Sequence, residues 1–223
     1  MDDSTKKTTI RLGSYSALVA ALFMIAGAVL KVTSGADLDV ALTNGSPAEY
    51  LAKLSDVRYM LVMNLSFWIV GVFFLGVAGS AMAKLCEQSP VTAGIIKLGY
   101  FTGVPLAIVS FIAWLTLVVQ LNPNASQTEI KIFEVIGWFV SRADWTATIL
   151  VVGVGPAMIS YSGRGDWVPG WLSVFGIFPA IASILTAIAM FTNALTTYGF
   201  AIVPIGLLWM IAAGMALFGH LKS

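Results

Sequence analysis

Long apolar runs separated by short polar stretches dominate the chain from residue 12 onward. An α-helix needs about twenty apolar residues to cross the hydrocarbon core of a bilayer. About six runs approach or exceed this length; they cover 12–34, 59–85, 91–120, 145–162, 168–192 and 198–219. The runs lack the alternation of a membrane β-barrel. The pattern therefore predicts an all-α, polytopic integral membrane protein with about six transmembrane helices.

Composition agrees with a membrane location. The chain is 58% hydrophobic and 10% charged, whereas a soluble domain carries about a quarter charged residues. Its formal net charge of +1 provides no basic surface for nucleic acid. We therefore expect the lipid bilayer and other membrane protein subunits, or further copies of this chain, as partners, and no nucleic acid.

The placement of Lys and Arg predicts the orientation of the helices. With an even number of spans, both termini lie on one side of the membrane. Putting them in the cytoplasm places more basic residues inside than outside. The inside set is Lys6, Lys7, Arg11, Lys84, Lys97, Arg164 and Lys222, and the outside set is Lys31, Lys53, Arg58, Lys131 and Arg142. The short connection between the fourth and fifth spans, SGRGDWVPGW, is then cytoplasmic, with Trp167 and Trp171 as interfacial anchors.

Two long polar connections lie on the predicted outer side and share the pattern Asn-x-Ser-x-x-Glu. It occurs as NGSPAE at 44–49 and as NASQTE at 124–129. In each, the serine and the glutamate form a predicted capping box at a helix start. Apolar residues at helical spacing follow both boxes. We therefore expect a short amphipathic helix in each outer loop, lying near the membrane interface.

The likeness of these loops extends to the flanking spans. LGSY and SDVRY in the first part of the chain match LGYF and SRADW in the second. A single integral membrane domain, 1–223, would then contain a tandem repeat of 12–85 and 98–162, followed by two further helices within 168–219. True duplication and shared physical constraints both account for so few identities.

The repeat places two charged pairs at equivalent positions on the outer rim: Asp56 with Arg58, and Arg142 with Asp144. The order of charges is reversed between the two. If the second and fourth spans are neighbours, Asp56 could pair with Arg142 and Arg58 with Asp144. The alternative is that both aspartates favour helix amino termini while the arginines are solvated.

Polar residues within the spans are the candidates for contact with a solute near the membrane midplane. They are Asn64, Ser66, Thr102, Ser110 and Thr148, with Ser183 and Thr186 in the fifth span. Such groups more often bond between helices. No charged residue falls near the middle of a predicted run, whereas ion-coupled carriers usually need one.

Few residues in the chain could support catalysis or hold a cofactor. It has one histidine, His220, and one cysteine, Cys86. Haem with two axial histidines, a zinc cluster and a disulfide framework each need more ligands than these. The sequence therefore predicts no catalytic residue, no metal site and no cofactor, and a protein that is not an enzyme.

Three segments carry a resemblance to a known family. They are KKTTIRLGSYSAL at 6–18, LSDVRYML at the end of the first outer loop and VPGWLSVFG at 168–176. The chain resembles an uncharacterised bacterial family of multipass membrane proteins, whose members show a basic amino terminus, an early Gly-x-Tyr and a later Leu-Pro-Arg-Trp-Leu. Pro169, Trp171 and Leu172 match that last motif, and Gly170 replaces its arginine. The resemblance implies the bacterial inner membrane and no established activity.

Small residues favour close helix packing and assembly. They recur through GVFFLGVAGSAMA at 71–83, and Gly99 and Gly103 form a GxxxG pair. The expected function is a non-catalytic structural or accessory subunit of a larger membrane assembly. The alternative is a small transporter or pore for a neutral or hydrophobic solute.

Overall fold

A computed structural model describes residues 2–192 and 199–221 of the chain. The predicted run 198–219 therefore begins one residue before the described part resumes, and Lys222 lies outside it. The described residues form helices and no β-strand, with one isolated bridge between Arg164 and Val168.

The helices follow one another along the chain with short connections. They are α1 (Asp3–Ser34), α2 (Leu38–Thr43), α3 (Pro47–Leu85), α4 (Pro90–Gln120), α5 (Gln127–Thr148), a π-helix (Ile149–Val154), α6 (Gly155–Ser162), α7 (Gly170–Phe175), α8 (Ile177–Ala189) and α9 (Ile202–His220). Within the described residues, six segments are long and apolar enough to cross a membrane: α1, α3, α4, α5 through α6, α7 with α8, and α9. The predicted all-α polytopic fold is confirmed.

The spans pack mainly on their neighbours in sequence. Helix α1 lies along α3 and α9, α3 also packs on α4, and α4 packs on α5. Helix α1 is therefore the main neighbour of α3, and α4 is the main neighbour of α5, whereas α3 and α5 touch each other only briefly. The bundle has two ends, which we call the N-terminal end, where α1 starts and α9 finishes, and the α2 end, where α1 finishes and α2 lies.

At the α2 end, helices α3 and α5 each begin well before the apolar run that predicted them. Residues expected as separate amphipathic helices are instead the first turns of α3 and α5, because helical hydrogen bonding continues unbroken into the spans. The capping box at Ser126 and Glu129 is formed. Ser46 makes no side-chain cap, and Pro47 opens α3 in its place.

The fourth span changes helix type part-way along its length. The π-helix follows Thr148 directly and ends before Pro156, whose ring nitrogen cannot donate a backbone hydrogen bond. Val151 and Val152 of the π-helix are buried against neighbouring helices. Gly103 of α4 and Gly206 of α9 make room for them, since a Cβ on either glycine would clash with one of these valines.

The connection between α6 and α7 closes the N-terminal end of the bundle. Gly165 has φ +84°, which a glycine adopts without strain. Asp166 lies 3.9 Å from the Lys6 ammonium, so the loop meets the amino terminus. Trp171 is exposed as expected of an anchor, but Trp167 is buried in the core and cannot serve as one.

Candidate functional site

A partly enclosed cavity of about 180 Å³ lies inside the bundle near the α2 end, where α1, α2, α5, α8 and α9 meet. Its polar lining consists of Lys31, Asp39, Asp144, Thr148 and Thr186, and its aromatic lining of Trp68, Trp145 and Phe200. A smaller cavity of about 50 Å³ adjoins it and shares Trp68, Asp144, Thr148 and Val203. The two cavities form the candidate site.

Lys31 occupies the α1 side of the site. Its ammonium nitrogen lies 2.8 Å from a carboxylate oxygen of Asp37, the N-cap residue of α2. The same nitrogen stands 5.6 Å from the ring centroid of Trp68, 5.8 Å from that of Trp114 and 5.2 Å from that of Phe200. Aromatic faces attract cations over such distances. Rings and carboxylate together hold the charge in a side chain that is only 16% exposed.

Asp39 approaches the cavity from α2 and is buried. The Ser141 hydroxyl of α5 donates a 2.5 Å hydrogen bond to its Oδ1 atom. Burial raises the pKa of the Asp39 carboxyl above its usual range, although the Lys31 charge and the Ser141 hydrogen bond oppose that shift. Asp39 therefore ties α2 to α5 through one of its carboxylate oxygens.

Asp144 lines both cavities from α5. It lies near the middle of the 36-residue segment Gln127–Ser162, not in a loop before a span. The sequence reading missed this because Arg142 and Asp144 interrupt the hydropathy, although the helix runs through them. Within residues 2–192 and 199–221, no hydrogen bond or ion pair reaches the Asp144 carboxylate.

The other residues of the predicted outer rim are not joined as pairs. Arg58 donates from Nη2 to the backbone carbonyl of Leu121 at 2.8 Å, beyond the last turn of α4. Asp56 accepts a 3.0 Å hydrogen bond from the Ser55 hydroxyl. The Arg142 guanidinium lies 4.6 Å from the ring centroid of Trp138. Neither Asp56 nor Asp144 lies in a first helical turn, since α3 and α5 begin well before them.

Most of the predicted midplane residues bond to helix backbones. Asn64 donates to the Gly27 carbonyl of α1 at 2.8 Å. Ser66 and Ser110 donate to carbonyls in their own helices, and Thr102 is exposed. Thr148 alone of the five faces the cavity. From the fifth span, Ser183 bonds within α8, whereas Thr186 lines the cavity and also donates to the Gly199 carbonyl at 2.9 Å.

Sequence reasoning missed Lys31 and Asp39 as site residues. Lys31 lies inside the predicted run 12–34, where it counted only as an outside charge. A lysine near the end of an apolar run, followed six and eight residues later by Asp37 and Asp39, was the available signal. Which aromatic rings surround Lys31 depends on how α1, α3 and α9 pack.

The two residues with the most reactive side chains lie away from the cavity. Cys86 is buried in the core at the N-terminal end, and burial raises the pKa of its thiol to about 11. It therefore stays protonated and unreactive. His220 lies in the last turn of α9 at the same end. Among the described residues, no three His, Cys, Asp or Glu side chains could hold a metal ion together.

The chain matches no protein-family model, no curated protein and no solved structure in comparisons with each. The resemblance to the uncharacterised bacterial family stays a prediction.

Proposed function

We propose that the protein is a small membrane carrier whose solute site is the cavity between α1, α2, α5, α8 and α9. The observation that supports it is Asp144, which lines that cavity within a span and has no bonding partner among the described residues. Ionisable groups inside membrane spans are costly and mark solute or ion pathways. We expect no catalytic step and no resident cofactor.

The π-helix gives further support to a carrier. Single π-turns are rare and occur often at functional sites. Here the π-helix begins directly after Thr148, and its Val151 and Val152 line the smaller cavity. Carriers commonly use interrupted helices to build their sites and to change conformation. The interruption therefore adjoins the proposed solute site.

An accessory subunit of a larger assembly is the second proposal. It is supported by an outward-facing apolar groove of about 530 Å³ between α1 and α9, whose lining includes Val29 and Leu208. The small-residue motifs, however, serve packing within the chain. A Cβ on Gly79 would press into Tyr100 of α4, and one on Gly71 would lie 2.9 Å from Met24 of α1. We therefore prefer the carrier.

We place this carrier in a bacterial inner membrane with both termini in the cytoplasm. The basic residues Lys6, Lys7 and Arg11 precede the first apolar run and support this orientation. The cavity then opens nearer the outer face than the inner one, because α2 lies at the opposite end of the bundle from the amino terminus.

Native mass spectrometry of protein purified in mild detergent tests the proposal. A small molecule should be recovered with the wild type and with the control Asp56→Asn, whose carboxylate lies outside the cavity. It should be lost from Asp144→Asn, which keeps the shape of the side chain and removes its charge. Stable protein partners without any bound solute would favour the accessory subunit instead.

A further inference from the structure

We infer that the cavity takes a small organic cation, and that this cation competes with a proton for the Asp144 carboxylate. The inference rests on the proposed carrier function and names its class of substrate. It follows from the charges, the rings and the size of the cavity.

Two carboxylates of the cavity lining, Asp39 and Asp144, lie in no salt bridge among the described residues, and of these only Asp144 also lacks a hydrogen bond. Of the described residues that line the two cavities, only Lys31, Asp39 and Asp144 are charged. Lys31 is paired with Asp37, and Asp39 accepts the hydrogen bond from Ser141. A carboxylate in a weakly polar interior needs a partner or a proton. Asp144 is therefore neutralised in one of two ways, by a proton or by a bound cation.

Neighbouring elements bring no other cation to Asp144. On its own helix, the Arg142 guanidinium stacks on Trp138 and lies in no ion pair among the described residues. From α1 and α2, the charged groups that interact with Asp144 are Lys31 and Asp39. The described residues of α3, α4, α8 and α9 that line the two cavities are uncharged.

The aromatic lining selects an organic cation over a metal ion. Trp68, Trp145 and Phe200 present ring surfaces to the cavity, and ring faces attract ammonium groups. The Lys31 ammonium already lies against two of these rings, which shows that their faces suit such a group. A hard divalent cation would instead need several oxygen ligands, and among the described residues no three His, Cys, Asp or Glu side chains could hold a metal ion together.

Anionic and neutral solutes fit the site less well. The positive charge of Lys31 is already matched by Asp37 at 2.8 Å, so an anion would face Asp144 without a compensating group. A neutral solute would leave the Asp144 carboxyl in need of a proton. Such a solute would also gain no attraction from the charge of the carboxylate. The larger cavity, about 180 Å³, is of the size that accepts a single small ring.

Exchange at Asp144 conserves charge in a simple way. The protonated carboxyl releases one proton when one monovalent cation binds, and it regains one proton when the cation leaves. No bond other than that O–H bond breaks, and no electron is transferred. A carrier with this site therefore exchanges protons for organic cations across the membrane.

The substrate class can be tested with three probes of one shape: benzylamine, benzyl alcohol and benzoate. Binding to the purified wild type is measured by calorimetry and by melting temperature in detergent at pH 7. We expect benzylamine to bind and to raise the melting temperature, and the other two to do neither at the same concentration. Tetramethylammonium, which has no transferable proton, should compete with benzylamine.

The pH series tests the competition with the proton. In the pH range where Asp144 carries its proton, the dissociation constant of benzylamine should rise about tenfold for each unit by which the pH falls, with one proton released per cation bound. Asp144→Asn should weaken benzylamine binding at least tenfold and abolish the pH dependence, whereas Asp56→Asn should change neither. Gel filtration and melting confirm that the variants fold; if Asp144→Asn does not fold, the wild-type pH series decides.

Each remaining outcome overturns a definite statement. Stronger binding of benzyl alcohol or benzoate, lost in cavity variants such as Thr148→Val, would refute the cation class and keep the carrier. If the affinity for benzylamine did not depend on pH, the competition between cation and proton at Asp144 would be refuted. If none of the three probes binds, the inference is refuted. If stable protein partners also co-purify without a bound solute, the carrier is refuted as well.

Discussion

The Asn64 side chain of α3 donates a 2.8 Å hydrogen bond from Nδ2 to the backbone carbonyl oxygen of Gly27 in α1. One turn along α3, the Trp68 indole donates to the Met24 carbonyl at 3.2 Å. A Cβ on Gly27 would overlap that indole, so the glycine allows α1 and α3 to approach each other closely. This contact sets Trp68 beneath Lys31, one turn further along α1, and thereby builds one wall of the cavity.

Replacing Asn64 by alanine should destabilise the protein. The substitution removes an interhelical hydrogen bond from a fully buried side chain, and such bonds are worth about 0.6 to 2 kcal/mol in membranes. Ser66→Ala is the matched control, because Ser66 bonds only to a carbonyl in its own helix. Melting in detergent should show a clearly larger loss for Asn64→Ala, and equal losses would contradict the role given to this contact.

A methyl group at Gly79 should be harmful, although alanine is the better helix former. It would enter the ring of the buried Tyr100, and overpacking of this kind costs about 1 to 3 kcal/mol. Gly94→Ala is the control, since a Cβ there meets nothing within 4 Å. It should stabilise α4 by about 0.5 to 1 kcal/mol. A stabilised Gly79→Ala variant would show that α3 and α4 do not pack as described.

The stability of the protein should fall with rising pH because of Asp39. Burial raises the pKa of Asp39 in the folded protein above its unfolded value. The folded state therefore holds the proton more tightly, and this contribution is fully present below the unfolded pKa. It is lost as pH rises through the folded pKa. Melting from pH 4 upward should show this decline in the wild type and less of it in Asp39→Asn; a contribution of Asp39 that grew with pH would contradict the sign.

Single cysteines test the orientation of the helices. In a Cys86→Ser background, cysteines at Asn44 and Asn124 should react with an impermeant thiol reagent on intact cells, and one at Arg164 should not. All three positions are exposed, so differences in labelling report the side of the membrane. Labelling at Arg164 alone would invert the proposed topology.

A charge swap on the rim should show no coupling. Arg142→Asp and Asp56→Arg alter residues that contact Trp138 and Ser55, not each other. Changes in stability at sites without shared partners usually add within about 0.5 kcal/mol. The double variant should therefore equal the sum of the singles in melting experiments. If the second substitution instead recovered the stability lost in the first, the predicted cross-repeat pairing of Asp56 with Arg142 would be supported.

Several features could be predicted from the sequence because they depend on neighbours along the chain. The all-α polytopic fold follows from run length and hydropathy, since a backbone in lipid must satisfy its own hydrogen bonds. The capping box at Ser126 and Glu129 depends on a spacing of three residues within one helical turn. The same reasoning failed at Ser46, where a different backbone conformation precedes Pro47.

The site required the tertiary structure. Arg142 and Asp144 interrupt the hydropathy, which therefore placed Asp144 at the end of a loop. Only the structure shows that it lies near the middle of a continuous helical segment, Gln127–Ser162. Lys31, Asp39 and Asp144 are distant in sequence, and packing of α1, α2 and α5 brings them to one cavity. Run length is a local property that the amino-acid sequence determines by itself. Which side chains share a cavity depends on helix rotation and on close approach at Gly27, Gly103 and Gly206, and those are decided only when the bundle packs.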